Sequence, residues 1–376
     1  MANQKGMLFL GCGATAGSRI KKNGYALPTD SQFFESPLVT GLLGDWNYPA
    51  LSLVRKLKPF QGQSGLYQTW NDLFIYRGLA QAGIIREDRS KIDELYHLAN
   101  HDWRDGYEWR AKHYQHQFEI REASIPPEYY LAELGIWDLR VLVKDVYSRI
   151  DLRDEVYRAL WTGLKKKVEV AAVVNLNYDT TFDDVLHGDF YCPGDSNPAK
   201  GKIPKIRPHG SLKWTSRGTF KTGGGFQDWT HSMSGTCLKD LGYRKTDDPS
   251  VLELLQPLIV PPAEFKEEVV GSSSIPGLTN PILRQQWLVL EHSLRESNHW
   301  IFIGFSFASG DDHLVFLLKR LYDSDKQIHC SCYHRNHVCN TLRDIFGQHA
   351  NVCGHDIPKH ETIDSFLPRE GCPLST

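Results

Sequence analysis

Four short stretches of this sequence combine residue types that do chemistry with the small residues that let a chain turn sharply. They are Gly11, Gly13, Ala14 and Thr15 before Ala16; Asn177 and Asp179; His209, Gly210 and Ser211; and Gly304 and Ser306. The spacing Gly11-x-Gly13-x-x-Ala16 fits a dinucleotide-binding turn, in which glycines let the backbone approach a pyrophosphate and a small third residue lets helix and strand pack closely. The acid that usually follows about twenty residues later to hold a ribose is not cleanly present, since Asp30 comes too early. Asn177 brings a polar amide, Asp179 a carboxylate and His209 an imidazole, the side-chain types that bind and orient polar ligands. Each stretch alone is also what an ordinary turn uses: glycine for backbone freedom, Asn and Asp for bonding their own backbone. Their order along the chain sets them apart.

The first, second and fourth of these stretches follow apolar runs. Met7 to Leu10, Val168 to Val174, Leu258 to Val260 and Trp300 to Ile303 read as buried strands, each stopping at a loop, the third at Pro261 and Pro262. Gln327 to Tyr333 reads as a further strand. Helical spacing appears in Leu283, Trp287, Leu290 and Leu294, and again in Leu314, Leu317, Leu318 and Leu321. Strands alternating with helices predict an α/β fold, a Rossmann-like parallel sheet with helices on both faces. Ligands of such sheets bind beyond the carboxyl ends of the strands, which is where the Gly11, Asn177, Pro261 and Gly304 loops fall, while His209 stands in a turn that follows no strand read here. Residues 31–165 carry Trp, Tyr and charge at helical spacing and read as a large helical insertion or lobe, leaving 1–30 and 166–376 for the sheet domain. Residues 189–250, rich in Gly, Ser, Asp, Lys and Pro, show no sustained period and predict an irregular excursion.

Composition narrows the class. The chain has 376 residues, 41% apolar and 23% charged, enough for one large or two ordinary domains and unlike a disordered or collagenous polymer. Lys and Arg total 43 against 45 Asp and Glu, so no overall basic field points to direct nucleic-acid binding or an anionic membrane. The apolar run near the start is too short for a signal peptide and no stretch reaches membrane-spanning length, so a soluble cytoplasmic protein with reduced thiols is expected. The eight cysteines contain no Cys-x-x-Cys pair. Cys330, Cys332, His334, His337 and Cys339 are metal-ligand types at a spacing that fits no standard zinc pattern, so packing is the expectation and no metal is called for.

Taken in order, the stretches resemble the sirtuins, and within them the sirtuin-like NAD-hydrolase domains of bacterial anti-phage defence. Gly11 to Thr15 resembles the family's Gly-Ala-Gly-Ala-Ser loop and Asn177-Tyr-Asp179 its Asn-Tyr-Asp motif. The run from His209 to Trp214 is similar to the family's His-Gly-Ser-Leu-x-Trp signature, and Gly304-Phe-Ser306 to its Gly-Tyr-Ser segment. The pair Pro261 and Pro262 also matches. The resemblance covers residues 7–30 and 168–320, and 31–165 match nothing specific. Deacetylase members carry a zinc ribbon on two Cys-x-x-Cys pairs, absent here, and Leu176 stands where they have Gln, which argues against acyl-lysine recognition.

The resemblance implies an NAD+ glycohydrolase that releases nicotinamide and ADP-ribose, acting in defence by NAD depletion and abortive infection. Asn177 would bind the nicotinamide ribose and position water, His209 would be general base, and Asp179 would orient the carboxamide side. Gly11, Gly13, Ala14 and Thr15 would cradle the pyrophosphate opposite Gly304 and Ser306. It further implies a homo-oligomer and a separately encoded partner, a HerA-type ATPase or alternatively a short Argonaute, because unrestrained NAD loss kills the host. The rival readings are an NAD-dependent protein deacylase and a non-catalytic nucleotide-binding or DNA-associated module.

Overall fold

In a computed structural model of the chain, the first apolar run lies at the centre of a seven-stranded sheet. The structure describes residues 5–11, 21–22, 25–26, 28–44, 47–57, 60–62, 65–85, 93, 97, 112, 114, 116, 126–150, 155–178, 182, 188–194, 201–221, 226–233, 238–260, 280–305, 307, 311–332 and 335–356. The strands are β1 (Lys5–Leu10), β2 (Lys21–Lys22), β3 (Tyr25–Ala26), β4 (Glu169–Asn175), β5 (Phe190–Tyr191), β6 (Ile203–Ile206), β7 (Gly210–Lys221), β8 (Phe226–Ser232), β9 (Gly242–Lys245), β10 (Val251–Ile259), β11 (His299–Ile303), β12 (Gln327–Cys332) and β13 (Val352–Asp356). The α-helices are α1 (Pro37–Gly44), α2 (Pro49–Val54), α3 (Leu66–Gln81), α4 (Pro127–Arg149), α5 (Glu155–Lys165), α6 (Pro281–Glu296), α7 (Asp312–Leu321) and α8 (Arg335–Phe346).

The chain divides into two compact units, one of residues 1–29, 150–210 and 266–376, the other of 30–149 and 211–265. In the first, the sheet order is β13-β12-β11-β1-β4-β6-β5, and every neighbouring pair runs parallel. A parallel sheet needs apolar cover on both sides, which is why β1 is apolar without alternation. Met7 and Phe9 join Trp300, Phe302 and the inner faces of α6, α7 and α8. Leu8 and Leu10 join Ile301, Ile303 and the α5 residues Tyr157, Leu160, Trp161 and Leu164. Each such fully buried side chain contributes about 2 kcal/mol through area removed from water. The α/β architecture with helices on both faces therefore stands as read. Among the described residues, no helix is long and apolar enough to cross a membrane.

Two sequence expectations come out differently. Residues 189–250 are not an irregular excursion, because β5 to β9 lie within them. The run Leu258 to Val260 does not enter the parallel sheet: it ends β10, in the four-stranded sheet β8-β7-β10-β9 of the second unit. The place beside β4 goes instead to β6, whose Val173↔Lys205 and Val174↔Ile206 register is made by a short strand diluted by Pro204 and Lys205. Pro261 and Pro262 lie outside the described residues. Within the first unit α5 packs on the parallel sheet, and residues 211–265 group with 30–149.

In that helical unit α2 has no side-chain cap of its own, since its N-cap is Tyr48. Two first-turn N–H groups, which a helix cannot satisfy internally, are met from elsewhere: Ala50 N–H donates to Tyr114 Oη at 2.9 Å and Leu51 N–H to Asp138 Oδ2 at 3.1 Å. Tyr114 Oη itself donates to the same carboxylate at 3.0 Å. Asp138 is fully buried on α4. Asp138→Ala should cost about 3 kcal/mol in a denaturant titration, because it strands buried donors around a lost charge, whereas Asp138→Asn should cost less.

Candidate functional site

The chain leaves β1 toward β4, β6 and β5, then returns to the other side of β1 with β11, β12 and β13. The crevice between β1 and β11 is therefore the switch point at which open parallel sheets bind ligands. Gly11 sits there, with its N–H donating to Ile303 O at 3.0 Å. A Cβ on Gly11 would collide with Gly304 O and lie 2.7 Å from Phe305 Cα, so only glycine fits. Gly304 has φ 60°, a left-handed conformation that glycine adopts without penalty, and its N–H donates to Ser331 O at 2.9 Å. Phe307 shares positive φ, at 52°, which is strained for a bulky residue. Its ring is held against Phe305, with centroids 4.4 Å apart.

On the other side of β1, the ends of β4 and β6 emerge together. Asn175 and Asn177 form a turn in which Asn177 N–H donates to Asn175 Oδ1 at 3.0 Å. Arg207, fully buried just past β6, donates from Nη1 to Asn177 O at 2.8 Å. Its own N–H donates to Gln286 Oε1 at 2.8 Å, and Gln286 Nε2 donates to Pro193 O at 2.6 Å. A buried guanidinium thus ties the Asn177 turn to the strand end that carries His209. Asn177 and His209 are both buried. His209 Nε2 faces Asp311 Oδ1 at 3.4 Å, with Asp311 just before α7.

The structure thus brings Gly11 against Gly304 in one place, and the Asn177 turn beside the His209 turn in the next. Gly13, Ala14, Thr15, Asp179 and Ser306 lie outside the described residues. Sequence reasoning missed Arg207, Asp311 and Asn175. Asn175 is 1% exposed, and its Nδ2 is a buried donor with no acceptor among the described residues. Since Oδ1 is fixed by Asn177 N–H, the amide cannot turn over to relieve this. A donor left open at the carboxyl edge of the sheet suits a ligand oxygen.

Of the thiol-rich segment, two members are seen to pack in the core. Cys330 and Cys339 are buried in the core with sulfurs 3.2 Å apart, and His337 is exposed. The side chains of Cys332 and His334 lie outside the described residues, among which no group of three or more His, Cys, Asp or Glu is placed to hold a metal ion. Deeper in the sheet, His299 Nδ1 meets His329 Nε2 at 3.2 Å, and burial pushes the His299 pKa below its ordinary value. The folded chain then binds fewer protons at this ring than the unfolded chain does. Stability is complete above the unfolded value of 6.5 and is lost as pH falls from there through the depressed folded value. Thermal midpoints measured from pH 8 to pH 5 should show this fall, and His299→Gln should flatten it.

No protein-family profile and no curated protein matches the chain. Among solved structures it is similar to a Sir2 homologue in complex with NAD, at 12% identity and TM-score 0.39, over 97% of this chain and 88% of that one. A structure described as the basis for the mechanism and regulation of Sir2 enzymes is similar at 11% identity and TM-score 0.36, over 100% and 93%. A mutant Sir2 homologue in complex with ADP-ribose is similar at 14% identity and TM-score 0.30, over 57% and 67%.

Proposed function

We propose that this chain is a sirtuin-like NAD+ glycohydrolase, cleaving NAD+ and water to nicotinamide, ADP-ribose and a proton. The observation that carries the reading is the pairing of Asn177 and His209, on turns that leave adjacent parallel strands and are tied by Arg207. The glycine turn at the sheet's switch point supports it, because Gly11 lies against Gly304 with no room for a side chain, and a chain without side chains there lets a ligand come close to the backbone. The open Nδ2 of Asn175 fits a ligand rich in hydroxyl and carbonyl oxygens.

Nicotinamide is bound to ribose as a cation and leaves neutral, so bond breaking moves positive charge to the sugar and needs no strong acid. What it needs is a held sugar and a held water. Asn177 orients the ribose and the water, and His209 takes the proton as water adds to the anomeric carbon. Asp179 orients the carboxamide, while Gly11, Gly13, Ala14 and Thr15 hold the phosphates opposite Gly304 and Ser306. The biological reading is NAD depletion in anti-phage defence, by a homo-oligomer restrained through a separately encoded partner such as a HerA-type ATPase.

Incubating the purified chain with NAD+, alone and with its genetically adjacent partner, should release nicotinamide at the rate NAD+ disappears. NAD-dependent loss of acetyl groups from an acetyl-lysine peptide would instead assign a deacylase. Tight NAD+ binding without turnover under every condition would assign a non-catalytic module.

A further inference from the structure

We infer that Asp311 is the positioning residue for His209, fixing which imidazole nitrogen carries the proton and which takes one from water. This rests on the glycohydrolase reading. Asp311 stands where a helix N-cap belongs, directly before α7, and its backbone oxygen accepts from Val315 N–H at 2.9 Å as a cap's should. An aspartate in that place ordinarily also accepts from the first-turn N–H groups through its side chain. Here it makes no side-chain cap bond, and Oδ1 is 3.4 Å from His209 Nε2. The helix forgoes the cap, and the carboxylate faces the imidazole. The side chains are 9% and 18% exposed, so water screens the pair little.

A carboxylate can only accept, so the neutral ring facing it carries its proton on Nε2 and keeps the lone pair on Nδ1. Nδ1 is then the atom that receives the water proton, and the resulting imidazolium is held by the charge behind it. At 3.4 Å the contact is longer than a formed N–H···O bond, as such pairs often are before substrate arrives, and it tightens as positive charge develops on the ring. Asp311 touches no reacting atom in this scheme and acts entirely through His209.

The test uses the full chain with NAD+ under the conditions that give turnover. Asp311→Asn, isosteric but able to offer the ring an N–H as readily as an oxygen, should lower kcat about 100-fold or more with KM changed less than about 3-fold. Asp311→Glu should recover at least about 10-fold of that loss, because a carboxylate is restored. The 15N spectrum of the imidazoles, with the His209 signals identified by their absence in His209→Ala, should show the Nε2–H tautomer in the wild type and a mixture in Asp311→Asn. Should Asp311→Asn keep kcat within about 3-fold while His209→Ala is inactive, the positioning role is wrong and the cleavage reading stands. Should His209→Ala keep full turnover, His209 is not the base and the positioning role falls with it, whereas wild-type protein that releases no nicotinamide under any condition overturns the cleavage reading itself. If Asp311→Asn does not fold, the wild-type spectrum decides alone, and an Nδ1–H tautomer at His209 overturns the inference.

Discussion

Asn177→Ala and His209→Ala should each lower nicotinamide release from NAD+ by at least about 1,000-fold while leaving the thermal midpoint within a few degrees of the wild type. The expected preservation of the fold follows from how Asn177 is held. Its backbone gives an N–H to Asn175 Oδ1 and a carbonyl to Arg207 Nη1, and alanine keeps both. His209 lies in a turn closed by Gly210 N–H to Arg207 O at 3.0 Å, which also survives. What alanine removes is the amide and the imidazole. Retained hydrolysis in both variants, followed by chromatography of nicotinamide, would take these side chains out of the reaction.

The second large effect is expected at Gly11. Gly11→Val places a Cβ on the Gly304 carbonyl and 2.7 Å from Phe305 Cα. Both obstacles are backbone, and neither can yield cheaply. Gly304 N–H is held by Ser331 O, and Gly11 N–H by Ile303 O. Either β1 and β11 part at their carboxyl ends or both turns are displaced, and each outcome removes the phosphate cradle. NAD+ affinity should fall by at least about 100-fold, with a stability loss of about 2–4 kcal/mol from the forced overlap. The control is Gly78→Ala in α3, where an added Cβ meets nothing within 4 Å and the helix gains about 0.5–1 kcal/mol. Isothermal titration with NAD+ and a urea titration separate the two losses. Unchanged affinity in Gly11→Val would exclude the β1–β11 crevice as the binding place.

The sequence made the central strands legible because strands buried on both faces leave uninterrupted apolar runs, as in Met7 to Leu10 and Trp300 to Ile303. The turns after β1, β4 and β11 were legible because they concentrate glycine and Asn at strand ends. β6 was hidden because a four-residue strand pairing over two positions needs no apolar run, and Pro204 reads as a breaker. The β7–β10 sheet was hidden by its glycines and charges, which suit antiparallel strands with an exposed edge. Arg207 and Asp311 could not be read at all as site residues. From sequence, Asp311 is an ordinary helix cap and Arg207 an ordinary surface cation. Only the fold places one at the imidazole and the other beneath Asn177, across about 100 and 30 residues of chain.

The position of β1 bears on when the sheet can close during synthesis. It is flanked by β4 and by β11, whose pairing Gly6↔His299 joins residues about 290 apart. On the ribosome, the Asn177 and His209 turns are synthesised long before β11 exists. Half of the sheet must wait with an open edge for its central strand's second neighbour. A nascent chain therefore cannot close the β1–β11 crevice until β11 has emerged, near residue 300 of 376.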